Sequence, residues 1–437
     1  MIRSVLLMTL GLLLAWPGVA RAQVLARAGS DGSELRVYLL TFGPGKVAWE
    51  KFGHNAIWVS DPGASSRGAN VAYNYGLFEF VWPDFFVRFI QGRMRYWMEG
   101  WSADATLSAY VDDGRDVWVD ELNLSPAQKL QIKTFLEWNA LEPNKFYRYD
   151  YYIDNCSTRV RDALDLATGG QIRPQLEARS TDTTYRFHTR RLMQSDWVLY
   201  TGIDFILGQP TDLPINAWEE SFLPVRLRQH LLNAEVLMGD RPEKLIGRST
   251  QLGVSTRFVE HGAPPGRVGV FLVVGLTYGL LQIALGWFST RRRSRVWKLL
   301  LGALVLPWLM VLSLGGTLGV WTWGFSNHRA TVWNENLMQA HPLVWPMILL
   351  LPLALCGRVT RLGRNWVWAI CFVSIAGLVL QVLPGWDQVN GESLALIVPT
   401  HVALAWVMWQ IDQTRRKPAQ AAPSGELPLS PVRGAPV

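Results

Sequence analysis

The chain has 437 residues, of which 49% are hydrophobic and 18% are charged, and its formal net charge is +7. This balance is not that of a single soluble domain and favours a soluble domain joined to membrane-spanning segments. The basic residues of the C-terminal half form short clusters between apolar runs, which indicates membrane topology and argues against a nucleic-acid partner.

The first 22 residues have the pattern of an export signal. Arg3 supplies a positive start, an apolar run follows from Val5 to Ala15, and Ala20-Arg21-Ala22 matches a small-x-small cleavage site. We therefore predict a signal peptide over residues 1–22, with an uncleaved anchor as the alternative. Both place residues 23–262 outside the cytoplasm as one periplasmic domain, large enough for its own core.

Three strands are predicted near the start of this domain. The first runs from Leu35 to Phe42, and the second begins after Gly53 and carries His54. A third strand, from Val71 to Tyr75, contains Asn74. A histidine therefore lies at the beginning of a strand, with a polar amide on the strand that follows.

A helix is predicted to follow Asn155. Asn155 is a favourable N-cap residue, Cys156 lies in the first turn, and Gly169-Gly170 form a stop signal. Apolar residues at helical spacing put Cys156 on the inward face. Because Cys156 is the only cysteine of the exported domain, no disulfide can form within that domain. An inert buried cysteine is the alternative to a reactive one.

The position of Cys156 at a helix N-terminus favours its thiolate, but weakly. The helix dipole contributes about 0.3–1 kcal/mol, whereas lowering a thiol pKa by two units requires about 2.7 kcal/mol. A second positive group is needed, and a histidine is the expected partner. His54, at its strand start, is the best placed, whereas His188 is predicted to lie in a surface or lipid-facing segment and His230 and His261 to be structural. No His, Cys and carboxylate spacing matches a zinc site, so no metal is predicted.

From about residue 268 the chain consists of apolar runs long enough to cross a bilayer. We predict a membrane domain over residues 263–411, with spans at about 268–288, 299–320, 340–356, 366–383 and 394–410. Prolines interrupt the third span, which is therefore expected to be kinked or partly re-entrant. Arginine clusters follow the first, third and fifth spans, which predicts that these ends are cytoplasmic and that the protein lies in the bacterial inner membrane. Residues 412–437 are predicted to form a disordered cytoplasmic tail.

Several of these motifs resemble a known family. Phe52-Gly53-His54-Asn55-Ala56, Tyr73-Asn74-Tyr75-Gly76 and Asn155-Cys156 are similar to the permuted branch of the NlpC/P60 superfamily, in which the His strand precedes the Cys helix. More closely, the chain resembles the Lnb-type family, whose members join such a periplasmic domain to C-terminal membrane helices. The resemblance implies an α+β, papain-like exported domain followed by an all-α transmembrane bundle.

The activity described for the Lnb-type family is lipoprotein N-acylation. The resemblance implies that a cysteine takes an acyl chain from a membrane phospholipid and passes it to the amino-terminal cysteine of a lipoprotein, or to another amine acceptor. Carried over to this chain, Cys156 is the nucleophile, His54 is its base and Asn74 orients the imidazole. No cofactor is implied.

Further substrate contacts are expected near these residues and in the loop between the second and third spans. Asn155 and Tyr75 adjoin the implied catalytic residues. Arg329, Asn334 and Asn336 lie in the loop over residues 321–341, which is predicted to recognise a phospholipid headgroup. An ordinary interfacial loop is the alternative.

Two other functions remain open at this stage. A cysteine hydrolase or amidase of cell-envelope peptides or lipids would use the same residues with water as the acceptor. A non-catalytic envelope scaffold would need neither the thiol nor the histidine. Five membrane spans argue against a peptidoglycan enzyme, for which a single anchor is sufficient.

Overall fold

The computed structural model describes residues 31–64, 68–79, 84–255, 260–292 and 294–416. The predicted signal peptide (1–22) lies outside the described residues, and so does most of the predicted tail, from residue 417 onward. The described chain has an N-terminal α+β region followed by a C-terminal helical region.

The secondary-structure elements within the described residues are numbered here in chain order. The strands are β1 (Arg36–Phe42), β2 (His54–Ser60), β3 (Asn70–Leu77), β4 (Arg95–Ser102), β5 (Val117–Leu122), β6 (Phe146–Arg148), β7 (Ser180–Thr184), β8 (Pro214–Asn216), β9 (Glu235–Met238), β10 (Arg241–Lys244) and β11 (Ile246–Gly253). The helices of the α+β region are α1 (Phe85–Ile90), α2 (Ala103–Asp112), α3 (Pro126–Asn139), α4 (Cys156–Ala167), α5 (Ile172–Glu177), α6 (Tyr185–Met193), α7 (Trp197–Ile206), α8 (Ala217–Glu220) and α9 (Pro224–Leu231). The helices of the C-terminal region are α10 (Val268–Arg291), α11 (Arg295–Gly324), α12 (Met347–Leu355), α13 (Arg361–Leu380) and α14 (Gly391–Arg416).

An antiparallel sheet with the strand order β11-β5-β1-β2-β3-β4-β6 organises the N-terminal region. Because successive side chains of a strand point to opposite faces, Leu39 packs in one core and Leu40 in the other. Helices α4 and α9 contact the first face, and α3 packs on α4. Helix α2 contacts the sheet at β3, β4 and β5, and its Ala103 is buried in the second core.

The three predicted strands and the predicted Cys156 helix are confirmed with small changes in their ends. Helix α4 begins at Cys156 itself, its N-cap is Asn155, and Gly169 follows its end with φ = +70°. The helix buries the predicted face through Val160 and Leu164, which pack in the core that includes β2 and β3. Local capping and periodicity were sufficient for this prediction because both depend on residues close in sequence.

The C-terminal region has helices in each predicted span. Helices α10, α11, α13 and α14 are long and apolar enough to cross a membrane. The third predicted span is a pair of segments, Glu335–Val344 and Met347–Leu355, bent by 61°. Pro346 is the N-cap residue of α12, and Pro352 lies inside that helix. The interruption predicted from the prolines is therefore present as a sharp bend.

Contacts between loops show which helix ends share a side. The backbone N–H of Asn327, after α11, donates to the carbonyl of Gln91 in the N-terminal region (2.9 Å). Gln388, before α14, donates through Nε2 to the carbonyl of Leu207 (3.0 Å). Lys298, near the start of α11, donates to the carbonyl of Leu355 at the end of α12 (2.7 Å). The connections after α11 and α13 therefore lie on the side of the N-terminal region, and the start of α11 and the end of α12 lie together.

Candidate active site

Cys156 is held at the first position of α4 by a well-formed helix cap. Asn155 Oδ1 accepts hydrogen bonds from the backbone N–H groups of Ser157 and Thr158, both at 2.9 Å. Its Nδ2 donates to two carbonyls, one of them that of Phe222 (2.9 Å). The cap therefore fixes the direction in which the helix leaves the loop and ties the helix start to the segment before α9.

The two substrate contacts expected beside the catalytic residues have structural roles instead. All four hydrogen-bonding positions of the Asn155 amide are used within the protein. Tyr75 is only 1% exposed, packs in the core under α4, and donates its hydroxyl to Asn139 Oδ1 (2.8 Å). A substrate would have to displace these contacts, because neither side chain has a free polar atom facing outward. Adjacency in sequence did not reveal this, since it says nothing of the partners that folding supplies.

A buried asparagine joins β2 to the helix start. Asn55 is fully buried, and its Nδ2 donates to the Leu40 carbonyl (3.1 Å) and to Thr41 Oγ1 (2.9 Å). The Ser157 hydroxyl in the first turn of α4 donates to Asn55 Oδ1 (2.9 Å). Sequence reasoning did not single out Asn55; the available signal was an amide side chain within an apolar strand, directly after His54.

His54 is oriented by the strand that follows it. His54 Nε2 lies 3.1 Å from Asn74 Oδ1, and the ring stacks on Phe42 and Tyr110. Asn74 Nδ2 donates to the carbonyl of Ala72 (3.0 Å), which assigns Oδ1 to the side facing the imidazole. The hydrogen bond then requires the proton on Nε2, and the lone pair of the neutral ring is on Nδ1.

The start of β2, the end of β3 and the start of α4 meet at one place. The backbone N–H of Asn55, next to His54, hydrogen-bonds the Cys156 thiol and lowers its pKa. Gly76 follows the strand segment that carries Asn74 and has φ = +89°. A side-chain carbon at Gly76 would lie 3.4 Å from Cys156 Cβ, so glycine permits both the turn and the close approach of the helix.

The charge state of the pair differs from the expectation of a thiolate. Burial raises the pKa of Cys156 to about 11, against the opposing effects of nearby backbone N–H groups and of Arg115. Burial also lowers the pKa of His54 to about 4; its hydrogen bond to Asn74 opposes this shift, and the positive charge of Arg115 adds to it. At neutral pH the resting site therefore holds a neutral thiol and a neutral imidazole. The helix N-terminus does not overcome desolvation here.

A buried arginine and a group of tyrosines surround the thiol. Arg115 donates to the Gly43 carbonyl through Nε and Nη2 (2.9 and 2.7 Å) and lies over the ring of Tyr110. Tyr147 Oη is buried and has no hydrogen-bond partner among the described residues. A side-chain carbon at Gly76 would lie 3.8 Å from that hydroxyl oxygen. Sequence reasoning missed Arg115 and Tyr147, because both come from elements distant from the His and Cys motifs.

These pKa values predict slow alkylation of Cys156 at neutral pH. A thiol with a pKa near 11 should react with iodoacetamide at pH 7 about a hundredfold more slowly than a thiol with the usual pKa of 9.0, because the thiolate fraction at pH 7 falls tenfold for each unit of pKa. The rate should rise with pH up to about 11. The alkylation rate is measured by mass spectrometry of the Cys156 peptide after digestion of the alkylated full-length protein. Fast alkylation that is already constant from pH 5 upward would instead show a thiolate–imidazolium pair.

The predicted headgroup residues of the loop after α11 are only partly available. Asn334 and Asn336 are buried, and each donates through Nδ2 to the carbonyl of Phe205 at the end of α7 (2.9 and 2.8 Å). These two amides therefore anchor the loop to the N-terminal region through their Nδ2 groups, and their expected contact with a headgroup stays a prediction. Arg329 is exposed. The anchor forms here because the end of α7 offers carbonyls without helical partners.

His188 is not at the surface, contrary to the sequence prediction. It is fully buried, with Nε2 2.8 Å from Glu220 Oε1, and its Nδ1 accepts a hydrogen bond from Arg191 (2.8 Å). His230 Nε2 lies 2.7 Å from the other carboxylate oxygen of Glu220. The basic sequence around His188 suggested exposure, but Glu220 on α8 supplies a buried hydrogen-bond acceptor for the neutral ring.

Comparison with known proteins places the N-terminal region in a family. Residues 22–195 match the family model of the Lnb N-terminal periplasmic domain. Cys156, His54 and Asn74 all lie inside the matched segment. No curated protein and no solved structure matches the chain significantly. Residues 22–195 therefore form an Lnb N-terminal periplasmic domain, which supports the resemblance to the Lnb-type family, and a helical region with four or five candidate membrane spans follows it.

Proposed function

We propose that the protein is a membrane-bound thiol acyltransferase. It moves a fatty acyl chain from a phospholipid, through a thioester on Cys156, to an amine, above all the N-terminal cysteine of a lipoprotein. The observation that carries this proposal is the junction of α4 with β2: the hydroxyl of Ser157, next to Cys156, donates to Oδ1 of Asn55 (2.9 Å), which directly follows the His54 that Asn74 orients. Membrane spans in the same chain support a lipid as the acyl donor.

The proposal includes a permuted papain-like arrangement of the N-terminal domain. Its support is an antiparallel sheet with a helix beginning at Cys156 packed against β2 and β3. The histidine strand precedes the cysteine helix along the chain, which is the reverse of the papain order. The roles of nucleophile, base and orienting amide depend on geometry and not on chain order.

The first chemical step forms the thioester. His54 Nδ1 accepts the thiol proton as Cys156 Sγ attacks the ester carbonyl carbon of the phospholipid. The S–C bond forms, the carbonyl becomes an oxyanion, and its collapse breaks the C–O bond. The imidazolium returns the proton to the departing alkoxide, which leaves as a lysophospholipid. The neutral resting pair suits this general-base route, since the proton moves only during the attack.

Among the described residues near Cys156, we assign three hydrogen-bond donors to the developing oxyanion. They are the backbone N–H groups of Cys156 and Asn55, both of which lower the pKa of the thiol, and the hydroxyl of Tyr147. Burial raises the pKa of Tyr147 well above its usual value, so its hydroxyl stays protonated and can donate. Fixed donors of this type stabilise a tetrahedral intermediate without reorganisation.

The second step transfers the acyl chain to the amine. The neutral amine of the acceptor attacks the thioester carbonyl, the C–N bond forms, and the C–S bond breaks. His54 accepts the proton that the amine loses and passes it to the departing thiolate. The products are an amide and the free Cys156 thiol, so the site returns to its resting state.

The membrane topology that we propose follows from the contacts between the N-terminal region and the connections after α11 and α13. The periplasmic domain contacts the connections after α11 and α13, so these lie in the periplasm. The arginine clusters after α10 and α12 and the C-terminus then lie in the cytoplasm, in agreement with the positive-inside rule. The five crossings count the bent pair ending at Leu355 as one span.

The experiment that tests this function is the intact mass of the protein purified from membranes. The wild type should carry a mass increment equal to a fatty acyl chain, removable by neutral hydroxylamine, because the thioester waits for an acceptor. Cys156→Ala should lack the increment. A hydrolase or amidase would accumulate little thioester, since water is always present, and a scaffold would show none.

A further inference from the structure

Helix α1 exposes an apolar surface that a wholly aqueous location would not favour. Phe86 is 70% exposed, and Val87, Phe89 and Ile90 are also exposed within these six residues. The opposite side of the helix is anchored by Phe85, which packs with Met94 and Tyr96. A contiguous exposed apolar surface on a domain of this kind indicates contact with another apolar phase or with a partner.

The connection after α11 holds α1 close to a membrane-spanning helix. Asn327 donates through its backbone N–H to the Gln91 carbonyl (2.9 Å), and His328 Nε2 donates to the Phe89 carbonyl (2.7 Å). Gly92 packs against the same segment, since a side-chain carbon there would lie 2.9 Å from the backbone nitrogen of His328. Helix α1 is therefore fixed at the periplasmic end of α11.

That end of α11 has the composition of a membrane interface. Trp321 and Trp323 are exposed in its last turn, and Phe325, directly after it, is 70% exposed. Tryptophan is enriched where a span leaves the hydrocarbon and meets the headgroups. Because α1 is bonded to the residues immediately after Phe325, its exposed apolar side chains lie beside this tryptophan-containing end of α11.

A basic groove lies beside α1. It has a volume of about 450 Å³, and the residues that line it include Arg88, Arg93, Arg95, Arg148, Phe146 and Tyr147. Arg88 is paired with Asp84, and Arg148 donates to the carbonyls of Gly92 and Asn327. Arg95 lies over the ring of Phe146, and both Arg93 and Arg95 are exposed. The described residues that line the groove include four arginines and no carboxylate, which gives the groove a positive charge.

The groove and the candidate active site share a wall. Tyr147 lines the groove, and its buried hydroxyl is near Gly76, against which Cys156 packs. Tyr147 also belongs to the aromatic cluster that includes Phe85 of α1. A molecule bound in the groove beside α1 would therefore contact the same tyrosine that adjoins the candidate active site.

We propose that α1 is inserted in the outer leaflet and that the arginine groove binds the phosphodiester of a phospholipid headgroup. Arginine is suited to this role, because its planar guanidinium donates two hydrogen bonds to phosphate oxygens. The exposed phenylalanines of α1 continue the lipid-facing surface of α11 next to the groove. The groove thus orients the acyl donor. Orientation of an acyl donor rests on the proposed function, whereas the insertion of α1 in the leaflet and the binding of the headgroup do not.

The first test measures the depth of α1 in a bilayer. A spin label is attached at Phe86→Cys in full-length protein without its native cysteines, reconstituted in phosphatidylglycerol-containing nanodiscs. The label should be accessible to oxygen and protected from a water-soluble nickel chelate. The control is Leu237→Cys, which is also exposed but lies on a strand bonded to Gln171. A label at this position should be accessible to the nickel chelate and less accessible to oxygen. A label at position 86 that is open to the nickel chelate would overturn the insertion.

The second test measures headgroup binding without catalysis. Full-length Cys156→Ala is titrated with dioleoylphosphatidylglycerol and, separately, with dioleoylglycerol, which lacks the phosphate. The double variant R93Q/R95Q should weaken binding of the phospholipid by about tenfold or more, since one basic residue at an anionic membrane surface contributes about fivefold. Arg241→Gln, on exposed β10, should not change it. The assignment would be overturned if R93Q/R95Q bound the phospholipid as tightly as the protein with both arginines does. It would also be overturned if the protein with both arginines bound dioleoylglycerol as tightly as it binds the phospholipid.

These outcomes separate the two proposals. If the headgroup site is correct and acyl transfer is wrong, arginine-dependent binding remains while wild type forms no thioester. If acyl transfer is correct and the headgroup site is wrong, the thioester forms while the R93Q/R95Q substitutions leave phospholipid affinity unchanged.

Discussion

Cys156→Ala is expected to abolish acyl transfer from phospholipid to a diacylated lipopeptide, with a rate loss of about 10³-fold or more. The variant has no atom that can form the covalent intermediate, and water or lipopeptide would have to attack the phospholipid directly. The truncation removes one sulfur from a half-buried position, so the fold should persist. The assay is the initial rate of N-acylated lipopeptide formation by full-length protein in mixed micelles, with near-ultraviolet circular dichroism as the check on folding.

His54→Ala should lower the same rate by about 10²- to 10⁴-fold, which is the usual contribution of a general base. Its effect is expected to be large because the thiol pKa of about 11 leaves almost no spontaneous thiolate. Asn74→Ala should cost less, since the imidazole keeps its base but loses the bond that fixes its tautomer. The pH profile of the wild type should fall only as the pH approaches about 4, where His54 becomes protonated and can no longer accept the thiol proton.

The matched control for these variants is His261→Ala. His261 is an exposed histidine whose backbone carbonyl accepts a bond from Arg191, and the substitution leaves that carbonyl in place. It should leave the rate of acyl transfer unchanged. Full activity of Cys156→Ala in this assay would show that the thiol mechanism is wrong, whatever the fold.

Arg186→Met is expected to lower the free energy of unfolding of the N-terminal domain by about 3–5 kcal/mol. Arg186 is only 1% exposed, and its guanidinium is bonded to the carboxylates of Asp204 (3.0 Å) and Asp212 (2.8 Å). It also donates to the carbonyls of Asp204, Leu207 and Gly208. Methionine has a similar length but satisfies none of these acceptors, so two buried carboxylates lose their main counter-charge.

This destabilisation should also reach the junction with the membrane region. The carboxylate of Asp204 pairs with Arg190 as well as with Arg186, and Arg190 also pairs with Glu392 at the start of α14. The hydroxyl of Tyr200 donates to the carboxylate of Glu392 (3.0 Å). Urea unfolding in detergent, followed by near-ultraviolet circular dichroism, measures the effect.

Arg173→Met is the control for Arg186→Met, because the Arg173–Glu177 pair is exposed on both sides. It should change stability by less than about 0.5 kcal/mol. Equal stability of the two variants would show that the buried arginine is replaceable by a nonpolar side chain, as some buried ion pairs are.

The elements of the candidate site could be predicted because their signals are local. Gly53 before His54, and Asn155 before Cys156, mark a strand start and a helix start through interactions that span at most a few residues. The membrane spans were predictable for a related reason, since a bilayer requires long apolar runs whatever the tertiary contacts are. Even the bend of the third span followed from its prolines.

The roles of individual polar side chains could not be predicted in the same way. Asn155, Asn334 and Asn336 were expected to meet substrate, but each is engaged by backbone groups of the protein itself. His188 was expected at the surface, but Glu220 meets it in the interior. In each case the decisive partner is distant in sequence, and hydrogen-bond satisfaction of buried groups is decided only when the chain is packed.

The sequence by itself determined the division into an exported domain and membrane helices, the helix that begins at Cys156, and the strand that begins at His54, because capping, periodicity and apolar length act over short stretches of chain. Only the tertiary structure decided that the thiol rests neutral, that Asn55, Arg115 and Tyr147 lie near it, and that α1 is bonded to the connection after α11. The physical reason is that pKa values and exposed surfaces depend on desolvation and on partners brought from distant segments, and these exist only once the sheet has formed and the helices have packed.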